Sequence, residues 1–498
     1  MIVLLFIANC LWTARAKSAT VDEYWFIAEG YHYLRTGEFR VGDHPPLAMI
    51  LAGAALLPLH PEMPPPSADR LRWGKDFLFR NAIPADRLIF AARLPNIALA
   101  ALLAVGVWGF ARRIYGPFAG VMALVLCTFS PDLLAHANLA TTDLPLTAFA
   151  FAAAAFLYEF RQRGTPGWLC AAGLALGLAL ATKLTALLFV PLAVAFLLAD
   201  VPSAQRSRSA RALVSAAGSA IFCLSLAVIV LLASYGVVHA WAYIEAVTLR
   251  LGQHTAGVHA YFLGEFARHG WWTYFPVAFA IKTPCGLLLL LAVALARAGR
   301  SWQATLFLAT PVIALFAAGT LWGVQIGLRY LLPVYPFLFV LAGGAFAGPM
   351  RPLVRALCLA MVAWFVAASV SVAPDYLTYF NELIGGREHG PEYLLDSNID
   401  WGQDLKELGR YLDDRGVRKV RLSYFGAEPL ELRVPNAEPL GCVPVAGIAA
   451  ISVNHLYGLY GDGGAEDARC YAWLRPLEPV ARVGGSIWVY EIAVEPER

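Results

Sequence analysis

Long apolar runs recur along this chain, and they limit what it can fold into. About eleven such runs are present, near positions 1–18, 88–111, 118–135, 145–160, 168–182, 184–199, 212–234, 275–298, 304–321, 330–348 and 356–373. A bilayer core takes roughly 20 apolar residues per helix, and it tolerates only backbone that satisfies its own hydrogen bonds. Each run therefore reads as a transmembrane helix. Of 498 residues, 59% are hydrophobic and 15% are charged, whereas soluble domains carry roughly 25% charge. These values exclude a large soluble enzyme. A net charge of +3 gives no reason to expect a nucleic-acid partner.

The first run is unusual. Met1–Trp12 is apolar but only about a dozen residues long, short of a full span. Either the helix continues to about Thr20 or the true start lies upstream. A cleaved signal peptide is a weaker reading, because no basic residue precedes the apolar run.

Basic residues set an expected orientation. Arg112 and Arg113, Arg161 and Arg163, Arg206, Arg208 and Arg211, Arg297 and Arg300, and Arg351 and Arg355 fall in short loops on alternate sides. Positive loops stay cytoplasmic, so the N-terminus is expected inside. The loops at 19–87 and 236–274, and those holding Asp143, Lys183 and Arg329, are then expected outside. The predicted membrane domain covers 1–373. Residues 374–498 are polar, with a helix over Gly402–Asp414 and strands at Lys419–Phe425, Ala446–Val453 and Ser486–Ile492. A small α/β domain on the extracytoplasmic side of a cytoplasmic (inner) membrane is the expectation.

Six cysteines lie in apolar runs and read as small core residues. Cys442 and Cys470 lie in the polar tail. On the oxidising side of a membrane they could form a disulfide.

Ionisable groups inside or beside apolar runs are costly, so they tend to serve function. Asp22 and Glu23 follow the first run, and Asp143 sits in Thr141-Thr142-Asp143-Leu144-Pro145. Asp22, Asp143 and Glu23 are the candidates for a general base or a carboxylate that orients substrate. The bland alternative is helix capping at a membrane surface. Lys183, Lys282 and Arg329 are lone cations in apolar settings, Tyr330 follows Arg329, and His44 precedes Pro45-Pro46. They read either as cations snorkelling to lipid headgroups or as a phosphate site shared between loops. The loop histidines His254 and His259 lack the pairing of a metal site, so hydrogen bonding suits them better. Asp396–Asp404 is polar enough for a binding surface, with Asp400 as the expected N-cap of the following helix.

Taken together, Asp22-Glu23, His44-Pro45-Pro46-Leu47, Thr141–Pro145, Thr182-Lys183 and Arg329–Pro336 resemble the GT-C glycosyltransferases. They are most similar to the dolichyl-phosphate-mannose protein mannosyltransferases and the bacterial aminoarabinose transferases of lipid A. The resemblance implies a polyprenyl-phosphate-linked sugar donor and inverting transfer to a protein, lipid or polysaccharide acceptor at the outer face. It implies that Asp22 is the catalytic carboxylate, that Asp143 is the second-loop acid, and that Lys183 and Arg329 lie around the lipid phosphate. No cofactor is expected, and a divalent metal is allowed but not indicated. A transporter or flippase of lipid-linked sugars is the alternative. Transporters favour repeated halves around a mid-membrane site, and no halves recur here.

Overall fold

The computed structural model describes residues 1–40, 42–65, 67, 69–199, 210–321, 323–460 and 469–493. All the predicted apolar runs are helical. Among the described residues, six helices are each long and apolar enough to cross a membrane: Ala85–Tyr115, Asp143–Arg163, Val214–Ser234, Trp302–Thr320, Leu328–Phe346 and Pro352–Ser371. Ile2–Ala16, Pro166–Leu180 and Leu184–Leu198 are shorter apolar helices. The protein is a polytopic helical membrane protein.

Two runs expected as single helices are bent pairs. Pro117–Thr128 meets Pro131–Ala137 at 60°, and Tyr274–Lys282 meets Cys285–Ala296 at 107°. The cause is local. A proline pushes the residue before it out of helical backbone and removes an N–H from the ladder. Ser130 and Thr283, each directly before a proline, have ψ of 120° and 129°. The Ser130 side chain accepts a hydrogen bond from the Leu133 N–H and restarts the helix.

The segment 19–87, expected to be a long loop, holds the helices Glu23–Thr36, Leu47–Ala54 and Arg70–Phe79. They enclose a small core of Tyr24, Ile27, Tyr31, Trp73, Phe77 and Leu88. The first two cross at Gly30 and Gly53. A Cβ on Gly30 would lie 1.8 Å from the Met49 carbonyl oxygen, so only glycine permits this approach. The segment 236–274 carries the helix Trp241–Ala256 and a hairpin of β1 (Ala260–Phe262) and β2 (Glu265–Ala267).

The C-terminal part contains a five-stranded sheet of β3 (Val420–Ser423), β4 (Ala437–Pro439), β5 (Gly447–Ser452), β6 (Ala481–Val483) and β7 (Ile487–Ile492), in the order β4-β3-β5-β7-β6. β3 runs parallel to both neighbours, and the other pairs are antiparallel. The three predicted strands correspond to β3, β5 and β7. The two edge strands have three residues each, too few for a readable alternation. Leu405, Leu408 and Leu412 of the helix Leu405–Asp414 pack on this sheet. Its N-cap position is Asp404 rather than the expected Asp400, whose carboxylate instead accepts from the Gly402 N–H at 3.0 Å. Cys442 and Cys470 are joined by a disulfide.

A buried lysine ties the first helix to this sheet. The Lys17 ammonium lies 2.5 Å from Asp375, 2.6 Å from Asp404 and 2.9 Å from Glu407. Among the described residues these carboxylates are the one trio close enough to hold a metal ion, and the ammonium sits between them. Burial pulls the Lys17 pKa down, but the Asp404, Asp375 and Glu407 charges outweigh burial and hold it above its ordinary value. Lys17→Met is expected to lower the melting temperature, and by more at pH 8 than at pH 5. Without the ammonium the clustered acids repel, so their folded pKa values rise above the unfolded values of about 4. The folded variant then binds the extra protons, and its stability falls as pH rises. A deficit equal at both pH values would show that the tie is not electrostatic.

Candidate active site

Asp22 ends the extended stretch that leaves the first helix and occupies the N-cap position of Glu23–Thr36. Its position is fixed by chain from the far end of the sequence. The Val21 N–H donates to the Trp401 carbonyl at 3.0 Å, and the Ser18 N–H to the Gln403 carbonyl at 2.9 Å. Asp143 is the first residue of the helix Asp143–Arg163 and is buried. Lys183 stands in extended backbone between the helix Pro166–Leu180 and the 3-10 turn Leu184–Leu188. Arg329 and Tyr330 lie in the 3-10 stretch Leu328–Val334 that opens another span.

These four segments bring their charges together. The Lys183 ammonium is 2.5 Å from Asp143 Oδ1. Arg329 is 3.0 Å from Asp22 Oδ2 and 3.8 Å from Asp143 Oδ2. Tyr330 lies under the Lys183 ammonium at 4.4 Å, a cation–π contact. Two carboxylates and two cations balance in formal charge. Their hydrogen bonding is incomplete: Asp143 Oδ2 and Arg329 Nε are buried and have no hydrogen-bond partner among the described residues. Buried polar atoms are normally satisfied, so such gaps call for a partner.

His44 flanks the cluster. It lies 3.2 Å from Asp43, accepts from Arg250 at 2.9 Å and packs edge-on against Trp25 and Phe26. Burial, followed by the Arg250 and Lys183 charges, holds its pKa below the ordinary imidazole value despite Asp43. The His44 loop is tied to the Lys183 turn, because the Leu47 N–H donates to the Ala181 carbonyl at 2.9 Å.

Two residues expected to touch substrate are engaged elsewhere. Glu23 is fully buried, with Arg93 at 2.8 and 2.7 Å, the Thr20 N–H at 2.9 Å and the Ala140 N–H at 2.8 Å. It braces the first loop against the second. Lys282 donates to the Leu377 and Asn398 carbonyls at 2.8 and 2.6 Å and lies over the Phe380 ring. It anchors the chain beyond the last span. His254 accepts from the Gly323 N–H, and His259 accepts from Arg268.

Sequence reasoning missed Trp401, whose ring lies 4.1 Å from the Arg329 guanidinium and 6.0 Å from the His136 ring. The polarity of Asp396–Asp404 was its only signal. Asn398 holds the same backbone, accepting from the Leu328 N–H at 2.9 Å. A stacked guanidinium keeps its plane and its charge while its edge points at neighbouring acids.

Residues 81–232 match the family model described as dolichyl-phosphate-mannose-protein mannosyltransferase. Asp143 and Lys183 fall within that range, and Asp22 and Arg329 outside it. The whole chain is similar in fold to apo ArnT from Cupriavidus metallidurans, at 15% identity over 98% of this chain and 97% of that one, with a TM-score of 0.50. The same protein bound to undecaprenyl phosphate aligns at 15% identity over 98% and 96%, with a TM-score of 0.48. The Saccharomyces cerevisiae Pmt1-Pmt2 complex bound to its sugar donor aligns at 20% identity over 49% of this chain and 34% of that one, with a TM-score of 0.36. No curated protein matches the chain in sequence.

Proposed function

We propose that this chain, a membrane glycosyltransferase of the GT-C fold related over residues 81–232 to the dolichyl-phosphate-mannose-protein mannosyltransferases, inverts the sugar it transfers from a polyprenyl phosphate to an acceptor hydroxyl. The reaction would take place at the extracytoplasmic face of a cytoplasmic membrane, with the C-terminal sheet on that side. One observation carries the reading. Asp22, Asp143, Lys183 and Arg329 come from distant segments into one charge-balanced cluster whose hydrogen bonds are incomplete.

The chemistry follows from the residue types. Asp22 takes the proton of the acceptor hydroxyl as its oxygen attacks the anomeric carbon. The bond from that carbon to the phosphate oxygen breaks on the opposite face, so configuration inverts in one step. Lys183 and Arg329 offset the charge growing on the leaving phosphate. Fixed charges aimed at a developing anion are usually the largest catalytic contribution, and losing one donor costs about 10²–10³ in kcat. Asp143 holds both cations in place. Its oxygen without a hydrogen bond suits an acceptor or sugar hydroxyl.

The test is transfer by the full-length protein in liposomes carrying a polyprenyl-phosphate hexose, with the product anomer assigned by NMR. Lys183→Met and Arg329→Met are each expected to lower turnover about 10²–10³-fold. A product of retained configuration would overturn the single-step mechanism. Movement of lipid-linked sugar across the membrane with no glycosylated product would overturn transfer altogether.

A further inference from the structure

Beside the charge cluster lies a feature that the proposed chemistry does not use. The Tyr460 and Phe425 rings stack in parallel, with centroids 5.0 Å apart and planes 9° apart. His455 meets Phe425 edge-on at 6.0 Å, and its Nδ1 is 2.8 Å from the Ser423 hydroxyl. Phe425 is half-buried, but Tyr460 is 42% exposed. The Tyr460 ring is therefore backed on one face by Phe425 while the residue keeps substantial exposure.

The tyrosine is also held at its tip. Its hydroxyl donates to Asp396 Oδ2. Asp396 takes a second bond from the Ser397 N–H at 2.5 Å, and its own N–H donates to Asn454 at 2.8 Å. Asp396 and Tyr460 both have left-handed backbone, with φ of 61° at each. Such backbone is uncommon for side-chain-bearing residues and persists where the surroundings over-determine it. Burial, with a smaller push from the Asp22 charge, raises the Asp396 carboxyl to about 6 against the downward pull of the Tyr460 bond, the Arg329 charge and the Ser397 N–H. Asp396 thus lies within electrostatic reach of the Asp22–Arg329 pair. Ser397 continues the link, donating to the Ile326 carbonyl at 2.5 Å.

A rigid, partly exposed aromatic ring has a natural complement. A pyranose ring presents an apolar face of C–H bonds and a rim of hydroxyls. The face stacks on an aromatic ring, and the rim stays free to bond to polar groups around it. Tyrosine suits this contact because it offers a large surface at low entropic cost. We propose that Tyr460, backed by Phe425 and tethered to Asp396, is the acceptor platform of this enzyme, and that the acceptor is a carbohydrate ring. The assignment rests on the transfer reading above and adds the acceptor class to it.

The platform is tested by saturation-transfer NMR on the full-length protein in lipid nanodiscs, with methyl β-glucoside and cellobiose as probes. Ring C–H protons are expected to receive saturation from the wild-type protein. The signal should fall at least fivefold in Tyr460→Ala and keep more than half its size in Tyr460→Phe, which retains the stacking face. Should the alanine variant fail to fold, Tyr460→Leu removes the π face at similar volume and gives the same comparison. Equal signals from wild type and Tyr460→Ala would overturn the platform. So would a Tyr460-dependent signal from a serine/threonine peptide with none from the sugars. Donor turnover by the wild-type protein is measured in parallel. Turnover without a Tyr460-dependent sugar signal sinks the platform and leaves the transfer reading standing. A Tyr460-dependent signal without turnover supports sugar binding at this face and sinks the transfer reading.

Discussion

Asp22→Asn is expected to lower transfer by about 10²–10⁴-fold, the range a positioned general base contributes. Asparagine keeps the size of the side chain and can still lie against Arg329, so the cluster loses a charge rather than its shape. Asp22 is the more accessible acid of the pair, its side chain 26% exposed against 1% for Asp143. It can therefore meet an incoming hydroxyl. Asp143 is committed to Lys183 at 2.5 Å, and its removal would free two cations from their counter-charge. The measurement is single-turnover transfer with donor in excess of its dissociation constant. A fall in rate with donor affinity within about threefold places the loss in the transition state. Turnover near the wild-type value would end the assignment of Asp22 as base.

Breaking the Glu23–Arg93 pair is expected to have the largest effect on stability. Both side chains are fully buried. Arg93 meets both carboxylate oxygens and also donates to the Ala14, Lys17 and Ser18 carbonyls. Removing one partner of such a pair leaves an uncompensated buried charge and costs about 3–5 kcal/mol. Glu23→Gln should therefore unfold at lower temperature and lose activity with it, because Asp22 is the adjacent residue. Burial raises the Glu23 pKa, but Arg93 and the bonds from Ala140 and Thr20 more than offset it, so the net shift is downward. A lowered folded pKa gives stability that is present above the unfolded value of about 4.3 and lost as pH falls through the folded one. The gap in melting temperature between wild type and Glu23→Gln should be full at pH 7 and narrow below about pH 4. A gap that stays constant through acid would show that the charge on Glu23 does not matter.

The two acids at positions 22 and 23 show where sequence reasoning stops. The membrane architecture is readable because a bilayer demands long apolar helices. Lone charges such as Asp143, Lys183 and Arg329 stand out because apolar surroundings make them expensive. Which of two adjacent acids is left to meet Arg329 depends on Arg93, which takes Glu23 from inside a helix that reads simply as a span. Lys282 follows the same sequence logic as Lys183, yet it caps two carbonyls, because where the 377–398 backbone returns is not encoded near position 282. Trp401 is an ordinary aromatic in a polar tail until folding brings it onto Arg329. Local pattern reports the cost of a charge but not the remote group that meets it.

The Lys17–Asp404 contact spans 387 residues of sequence, and Trp401 closes over Arg329 from the same late stretch. During synthesis the ribosome must therefore deliver the chain past Trp401 before Asp22 has its neighbours. A nascent chain still short of Trp401 can form its helices but lacks both the ring over Arg329 and the carbonyl that holds Val21, so the charge cluster stays unfinished until this late module has docked.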